Sequence, residues 1–374
     1  MKCYIPGCMN RDTTVAVGLS GGVDSSLAAA LLVDSGFKVI GLTMKIWRGA
    51  YRIQEGLKHA CFGPGEEEDI EACSRLASSL GIDYKVLDLS REYETRVLEY
   101  FKSEYRAGRT PNPCIVCNRD LKFGFLVDRA REAGVDFDFF ATGHYARKAT
   151  LDGINYLRRG ADPAKDQSYF LYSLDSDRLG HILFPLGDMT KDEVRHLAKA
   201  HGLETADKAE SQDFVAGGDY TPLFEDAEPE EGDIVDRDGR VLGRHRGLPF
   251  YTIGQRRGLG VSTGPDPLYV VALEREANRV VVGPNSGLFS EGLMCSSFRF
   301  QAPAIDPEIS AYAKIRQNHK PTSCKVRSLN GGAILEFETA QRAVAPGQSA
   351  VIYSADGRVL GGGVIDKALV TLQD

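Results

Sequence analysis

Thr13-Thr-Val-Ala-Val-Gly-Leu19 runs directly into Ser20-Gly-Gly-Val-Asp-Ser-Ser26. The first half is a short apolar run rich in β-branched residues, as a buried strand requires. The second half is a glycine-serine loop that opens a helix over 24–36, and a further strand at 38–44 completes a βαβ unit. Where such a loop meets a helix, bare backbone N–H groups and the helix dipole attract anions. Gly18, Gly21 and Gly22 let the backbone approach phosphate closely, Ser20, Ser25 and Ser26 add hydroxyl donors, and Asp24 suits a magnesium ion on the same phosphates. The loop lacks the lysine of a P-loop. The plain alternative is a serine-rich turn that only caps its helix.

Outward from this unit the pattern predicts helices over 66–80, 92–107 and 123–133 and strands over 84–87 and 137–142. Such alternation implies an α/β fold, a Rossmann-like parallel sheet with helices on both faces. Residues 175–201 read as helical, with Thr190-Lys-Asp-Glu193 as a capping box. After about residue 215 an acidic loop, Glu225-Asp-Ala-Glu-Pro-Glu-Glu-Gly-Asp233, leads into short strands with turns at Asp236-Arg-Asp-Gly239, Ser328-Leu-Asn-Gly-Gly332 and Ser354-Ala-Asp-Gly357. The expected domains are a catalytic α/β domain over 1–215, a small β-rich middle domain over 216–278, and a C-terminal antiparallel β-barrel over 279–374.

The length of 374 residues suits two or three such domains at about 150 residues each. Hydrophobic residues at 43% and charged ones at 26% exclude disordered, collagen-like and coiled-coil classes. No run approaches the roughly 18 apolar residues of a membrane span, and Met1 to Thr14 has no signal-peptide core, so a cytoplasmic protein with no membrane partner is expected. A net charge of −7 argues against coating nucleic acid by bulk electrostatics. The positive charge is nevertheless segregated: residues 96–165 carry 13 basic against nine acidic residues, and 241–258 carry Arg244, Arg246, Arg256 and Arg257 with no acid. Eight cysteines without an export signal read as reduced thiols, with Cys73, Cys295 and Cys324 as core fillers.

The loop resembles that of the PP-loop ATP pyrophosphatases. Further stretches make the chain similar to the bacterial tRNA-specific 2-thiouridylases along nearly its whole length. These are Gly41-Leu-Thr-Met-Lys-Ile-Trp47, Ala107-Gly-Arg-Thr-Pro-Asn-Pro113, Cys117-Asn-Arg-Asp-Leu-Lys-Phe123, Ala141-Thr-Gly-His-Tyr145, Lys165-Asp-Gln-Ser-Tyr-Phe-Leu-Tyr172, Tyr251-Thr-Ile-Gly-Gln-Arg-Arg-Gly258 and Pro346-Gly-Gln-Ser-Ala350. The resemblance implies ATP and Mg2+ as cofactors and ATP-dependent 2-thiolation of the wobble uridine, by adenylation of the C2 oxygen, sulfur transfer and AMP release. It implies an ATP site formed by Gly18, Leu19, Ser20, Gly21, Gly22, Val23, Asp24 and Ser25, with Met44 near the adenine and Gly143 beside it. The partners it implies are the anticodon arm of tRNA and a sulfur donor, either a cysteine desulfurase relay or inorganic sulfide. A base extruded into the pocket would meet Asn112, Pro113 and Cys114, with further RNA contacts from His144, Lys165, Asp166, Gln167, Arg316, Gln317 and Gln348.

Cys117 matches the family nucleophile, at what reads as a helix start whose dipole would lower the thiol pKa. The usual second cysteine is absent from Glu210-Ser-Gln-Asp-Phe-Val-Ala216, where Val215 takes its place, while Cys114 forms a Cys-x-x-Cys pair with Cys117. Several readings stay open. Cys114 and Cys117, with Asp213, hold an iron-sulfur cluster of the [4Fe-4S] kind that delivers sulfide; or Cys114 carries the persulfide or resolves it for Cys117; or the pair binds zinc or nothing. Cys3 and Cys8 read as incidental thiols of an N-terminal tail. The competing functions are a PP-loop amide synthetase for a small molecule and a catalytically lapsed tRNA-binding relative.

Overall fold

The computed structural model describes residues 12–53, 60–209, 213–225, 229–262, 266–301 and 307–369. Cys3, Cys8 and Glu210-Ser-Gln212 therefore lie outside the described residues, as does the side chain of Asp213. The chain groups into two compact units. The first comprises Met1–Val97, Cys114–Pro222 and Gly357–Val359, and the second Leu98–Pro113, Leu223–Asp356 and Leu360–Asp374.

In the first unit the strands are β1 (Thr14–Gly18), β2 (Lys38–Lys45), β3 (Ala60–Phe62), β4 (Asp83–Asp88), β5 (Phe139–Ala141), β6 (Ala146–Leu151), β7 (Ile154–Arg159), β8 (Ile182–Leu183) and β9 (Asp213–Val215). Five form one sheet in the order β4-β2-β1-β5-β8, with every pair parallel. β1 is central because Val15, Ala16 and Val17 have no exposed surface and need cover on both faces. The chain leaves β1 toward β2 on one side and later fills β5 on the other. That reversal opens a crevice at the carboxyl end of β1, where open α/β sheets bind ligands. The helix Val23–Asp34 is buried along almost its whole length and packs on the helix Lys191–Ala200 through a core that joins Leu27, Ala28 and Leu31 to Val194 and Ala198.

Several expected elements are subdivided. The region 175–201 contains a short helix Ser176–Gly180, strand β8 and the helix Lys191–Ala200, which begins with the expected Thr190/Glu193 capping box. β6 and β7 form a hairpin whose two turn residues, Asp152 and Gly153, both have positive φ, as a type I′ turn demands. β3 and β9 form a separate parallel pair, Ala60 beside Asp213 and Phe62 beside Val215.

In the second unit, β10 (Gly232–Val235), β11 (Val241–His245), β12 (Tyr269–Glu274) and β13 (Arg279–Gly283) make a sheet in the order β11-β10-β13-β12. β13 completes this sheet, so residues 279–283, expected to open the barrel, belong to the middle module. The closed barrel begins with β14 (Phe289–Phe300) and continues through β15 (Glu308–Lys314), β16 (Thr322–Leu329), β17 (Gly332–Arg342), β18 (Ser349–Tyr353) and β19 (Val359–Leu369). The three glycine turns named from the sequence join β10 to β11, β16 to β17 and β18 to β19. Cys295 and Cys324 fill the barrel core, and Cys73 fills that of the first unit, as expected of them.

Candidate active site

The loop after β1 is held open by its own chemistry. The Leu19 N–H donates to Leu42 O at 2.8 Å, and the Thr43 hydroxyl donates to Leu19 O at 3.0 Å, fixing the loop to β2. Gly21 has φ +70°, a left-handed conformation in which glycine avoids the Cβ penalty. Gly22, at the N-cap, has no side chain to cap the helix, and the Ser25 and Ser26 hydroxyls donate back to Gly22 O at 3.1 and 2.9 Å. The first N–H groups of the helix are thus left to a ligand rather than to a cap. Gly143 follows β5 directly against this helix end: a Cβ there would lie 2.6 Å from Asp24 C and 2.7 Å from Ser25 N. Met44 sits half-buried near the end of β2, beside Leu87 of β4. Together these features fit a polyphosphate nucleotide.

Two lysines that no sequence motif singles out reach the same loop. Lys191 Nζ donates to both Asp24 oxygens, at 2.7 and 3.0 Å, and the Tyr145 hydroxyl donates to Asp24 Oδ1 at 2.7 Å. Lys191 is the first residue of its helix, where a cation opposes the helix dipole, and the Asp24 carboxylate offsets that cost. Lys208 Nζ donates to Gly21 O at 2.9 Å and also bonds Asp69. Asp24, expected to meet magnesium, is one-third exposed and paired with a nearly buried ammonium.

The thiols lie on an irregular helix. Pro113–Val116 starts it, Cys117–Phe125 continues in wide i→i+5 turns, and Leu126–Glu132 closes it. Cys117 is consequently inside the helix rather than at its start, and the expected lowering of its pKa is overturned. Burial pushes Cys117 up to about 11 and Cys114 up to about 12; the Lys122 ammonium pulls both down only in part. Wide turns of this kind occur often at functional sites. Lys122 also acts on His144, whose pKa is held well below its usual range, first by burial and then by that ammonium. The neutral His144 ring lies 5.8 Å from Phe123 and shares a 2.7 Å hydrogen bond with Thr142 through Nδ1. It offers hydrogen bonds but no positive charge. A third thiol, Cys61 on β3, lies within electrostatic reach of both Cys114 and Cys117. Among the described residues no three Cys, His, Asp or Glu side chains are grouped to hold a metal ion. The expected third cluster ligand, Asp213, has its side chain outside the described set.

The expected RNA contacts divide. Gln167 accepts from the Tyr145 N–H at 2.9 Å, Lys165 beside it is half-buried, and Asp166 is 1% exposed. Asp166 accepts from the Gly160 and Ser168 N–H groups at 3.0 and 3.1 Å and from Arg159 at 3.1 Å, so it shapes the turn from inside rather than offering a surface. In the second unit the Asn112 N–H donates to the Tyr100 hydroxyl at 3.4 Å, with Pro113 following. Gln348 donates to Thr110 O and Pro111 O at 3.1 and 3.0 Å, tying the barrel to that loop. Arg316, followed by the half-buried Gln317, donates to Arg342 O at 3.4 Å. The arginine-rich stretch lines a cleft of about 560 Å³ with Arg244, Arg246, Arg257, Phe250, Tyr251 and Gln255. Arg246 stacks 4.4 Å above the Phe250 ring.

A switch-point crevice with an uncapped glycine loop defines the first unit as a nucleotide-binding α/β domain, which also carries the half-buried thiols Cys114 and Cys117. Residues 13–216 match a family described as the tRNA methyl transferase HUP domain, 223–284 its PRC-barrel domain, and 290–365 an aminomethyltransferase β-barrel domain. The chain is 43% identical over 371 residues to the tRNA-specific 2-thiouridylase MnmA of Geotalea uraniireducens, covering 97% of each chain. It is 44% identical over 372 residues to that of Carboxydothermus hydrogenoformans, covering 95% of this chain and 98% of the relative. The chain belongs to the tRNA-specific 2-thiouridylase family. An NMN synthetase from Francisella tularensis shows a looser likeness, with 19% identity and a TM-score of 0.32 over 54% of this chain and 68% of that one. Among the described residues no helix is long and apolar enough to cross a membrane.

Proposed function

We propose that this chain catalyses ATP-dependent 2-thiolation of the wobble uridine of tRNA, an activity of the cytoplasm. One observation carries the reading: the phosphate-receiving loop, the loop Thr142–Tyr145 and the two thiols Cys114 and Cys117 share one compact unit, and Lys122 acts on both thiols and on His144. The helix N–H groups at Gly22 to Ser25 receive the phosphates of ATP, and Lys191 and Lys208 supply cationic charge beside them. The uridine C2 oxygen attacks the α-phosphate and pyrophosphate leaves; sulfur then attacks C2 and AMP departs. Magnesium, held with help from Asp24, would neutralise phosphate charge in the first step. Asn112, Pro113 and Cys114 receive the flipped base, while Arg244, Arg246 and Arg257 meet phosphates of the anticodon arm.

Sulfur arrives either as a sulfane sulfur from a desulfurase relay, passed to C2 through Cys114 or Cys117, or as inorganic sulfide that attacks C2 directly. The test uses the full chain with tRNA, ATP, magnesium and a persulfide sulfur donor. Thiolated tRNA is expected, and Cys117→Ser should abolish it while pyrophosphate release persists. Full thiolation by that variant removes Cys117 from the reaction.

A further inference from the structure

Among the described residues of the first unit, Cys61 is the one free cysteine whose side chain is exposed. The pairing of β3 with β9 places it: Ala60 lies beside Asp213 and Phe62 beside Val215, so Cys61 sits level with the segment that lacks the expected second cysteine. Alternation along β3 turns Phe62 inward and Cys61 outward. Phe62 stacks on Tyr93 with ring centroids 5.2 Å apart and on Phe214 at 6.3 Å, which anchors the strand. Tyr93 is fully buried, and its short helix packs against the wide turns that begin at Cys117. Cys117, Cys61 and Cys114 all lie within electrostatic reach of the Tyr93 hydroxyl. The arrangement is asymmetric. Cys114 and Cys117 are half-buried with sulfurs deep in protein, whereas Cys61 faces solvent.

A sulfur relay needs that asymmetry, because the thiol that meets a donor must be reachable and the thiol that finishes the reaction must be sheltered. We propose that Cys61 is the receiving thiol of sulfur transfer, taking a sulfane sulfur at the surface and passing it to the base. The proposal rests on the thiolation reading above. The Cys61 thiolate attacks the outer sulfur of a persulfide donor, forming Cys61–S–SH and releasing the donor thiol. The terminal sulfur attacks C2 of the adenylated uridine; the C2–O bond breaks and AMP leaves with its electron pair, giving a C2–S–S–Cys61 adduct. An inner thiolate, Cys117 or Cys114, attacks the Cys61 sulfur and the S–S bond breaks. Its electron pair forms the C2=S group, and N3 regains the proton lost on adenylation. A disulfide containing Cys61 remains, and a dithiol reductant returns both thiols while becoming a disulfide itself.

The full chain is loaded with inorganic polysulfide, and the modified cysteine is mapped by peptide mass spectrometry. Added sulfur is expected on the Cys61 peptide, and a single turnover with tRNA and ATP but no reductant should leave a disulfide from Cys61 to Cys117 or Cys114. Cys61→Ser and Cys61→Ala should each lose about a hundredfold in polysulfide-driven thiolation. Excess inorganic sulfide, which attacks adenylated C2 directly, should restore both variants to within about tenfold of the unsubstituted chain. Sulfur mapped only to Cys114 or Cys117, a disulfide confined to that pair, or wild-type thiolation by Cys61→Ser each overturns the proposal. Absence of tRNA-dependent pyrophosphate release from the unsubstituted chain would instead sink the thiolation reading.

Discussion

Gly143→Ala tests the nucleotide site at a point where distances set the outcome. The added Cβ would stand 2.6 Å from Asp24 C, 2.7 Å from Ser25 N and 2.9 Å from Asp24 O, all backbone atoms of the phosphate-receiving helix end. Carbon atoms in ordinary contact lie ~3.5–4.0 Å apart, so the loop or the helix must yield by about 1 Å. Forced expansion of a packed site costs roughly 1–3 kcal/mol. In a domain of this size each kcal/mol lowers Tm by roughly 2–4 °C. A displacement of about 1 Å in a positioned reactant costs on the order of a hundredfold in rate, so kcat/KM for ATP in tRNA-dependent pyrophosphate release should fall by about that factor. Gly41→Ala is the control. Its Cβ meets Leu19 Cδ1 at 2.8 Å, the end of a side chain that can rotate, and less than about 1.5 kcal/mol is expected. Calorimetry and a pyrophosphate assay on both variants decide the matter. Wild-type Tm and kcat/KM for Gly143→Ala would refute the packing of this loop against the helix and its place in the ATP site.

Lys191→Ala leaves the one-third exposed Asp24 carboxylate facing the phosphate site with one cation fewer. The lost charged hydrogen bonds are worth about 1–2 kcal/mol after discounting for that exposure, and KM for ATP should rise about tenfold. Unchanged Tm and unchanged KM together would show that the pair does neither job. A second expectation concerns pH. With Cys117 at about 11 and Cys114 at about 12, both are almost wholly protonated near neutrality. The sulfur-transfer step, isolated by rapid quench, should accelerate about tenfold per pH unit toward pH ~9 while adenylation does not follow it. The sign for stability is the reverse. Pushed above the ordinary thiol value of about 8.5, these groups contribute stability that is complete below it and is lost as pH climbs through 11 and 12. A sulfur step with no pH slope over that range would mean that neither inner thiol is the nucleophile.

The features legible in the sequence share one property: their physics is local. The glycine loop, the Thr190/Glu193 capping box and the Asp236–Gly239 turn each need only neighbouring residues, and each stands where the sequence places it. Cys117 reads as a helix start because the wide turns that carry the helix through it leave no sequence signal. Asp166 follows a lysine and precedes a glutamine, which reads as polar surface; only the approach of the Gly160 and Ser168 N–H groups turns it inward. The cationic side of the nucleotide site is harder still. Lys191 lies 167 residues from Asp24 and Lys208 lies 187 from Gly21, so nothing along the chain links either lysine to the loop it serves.

The same reasoning explains how a thiol missing from one segment can be supplied by another. A side chain's place in a reaction is fixed by the strand that carries it and by the neighbour of that strand, not by its order in the chain. β3 and β9 are about 150 residues apart in sequence yet paired in register, so a cysteine on either one reaches the same neighbourhood around Tyr93. Moving the thiol to the paired strand should nevertheless not restore polysulfide-driven thiolation: the double substitution Cys61→Ser with Phe214→Cys keeps a thiol level with the original position, but Phe214 is buried against Phe62, out of a donor's reach. The loss of aromatic stacking also costs stability there, so the transferred thiol sits in a weaker core.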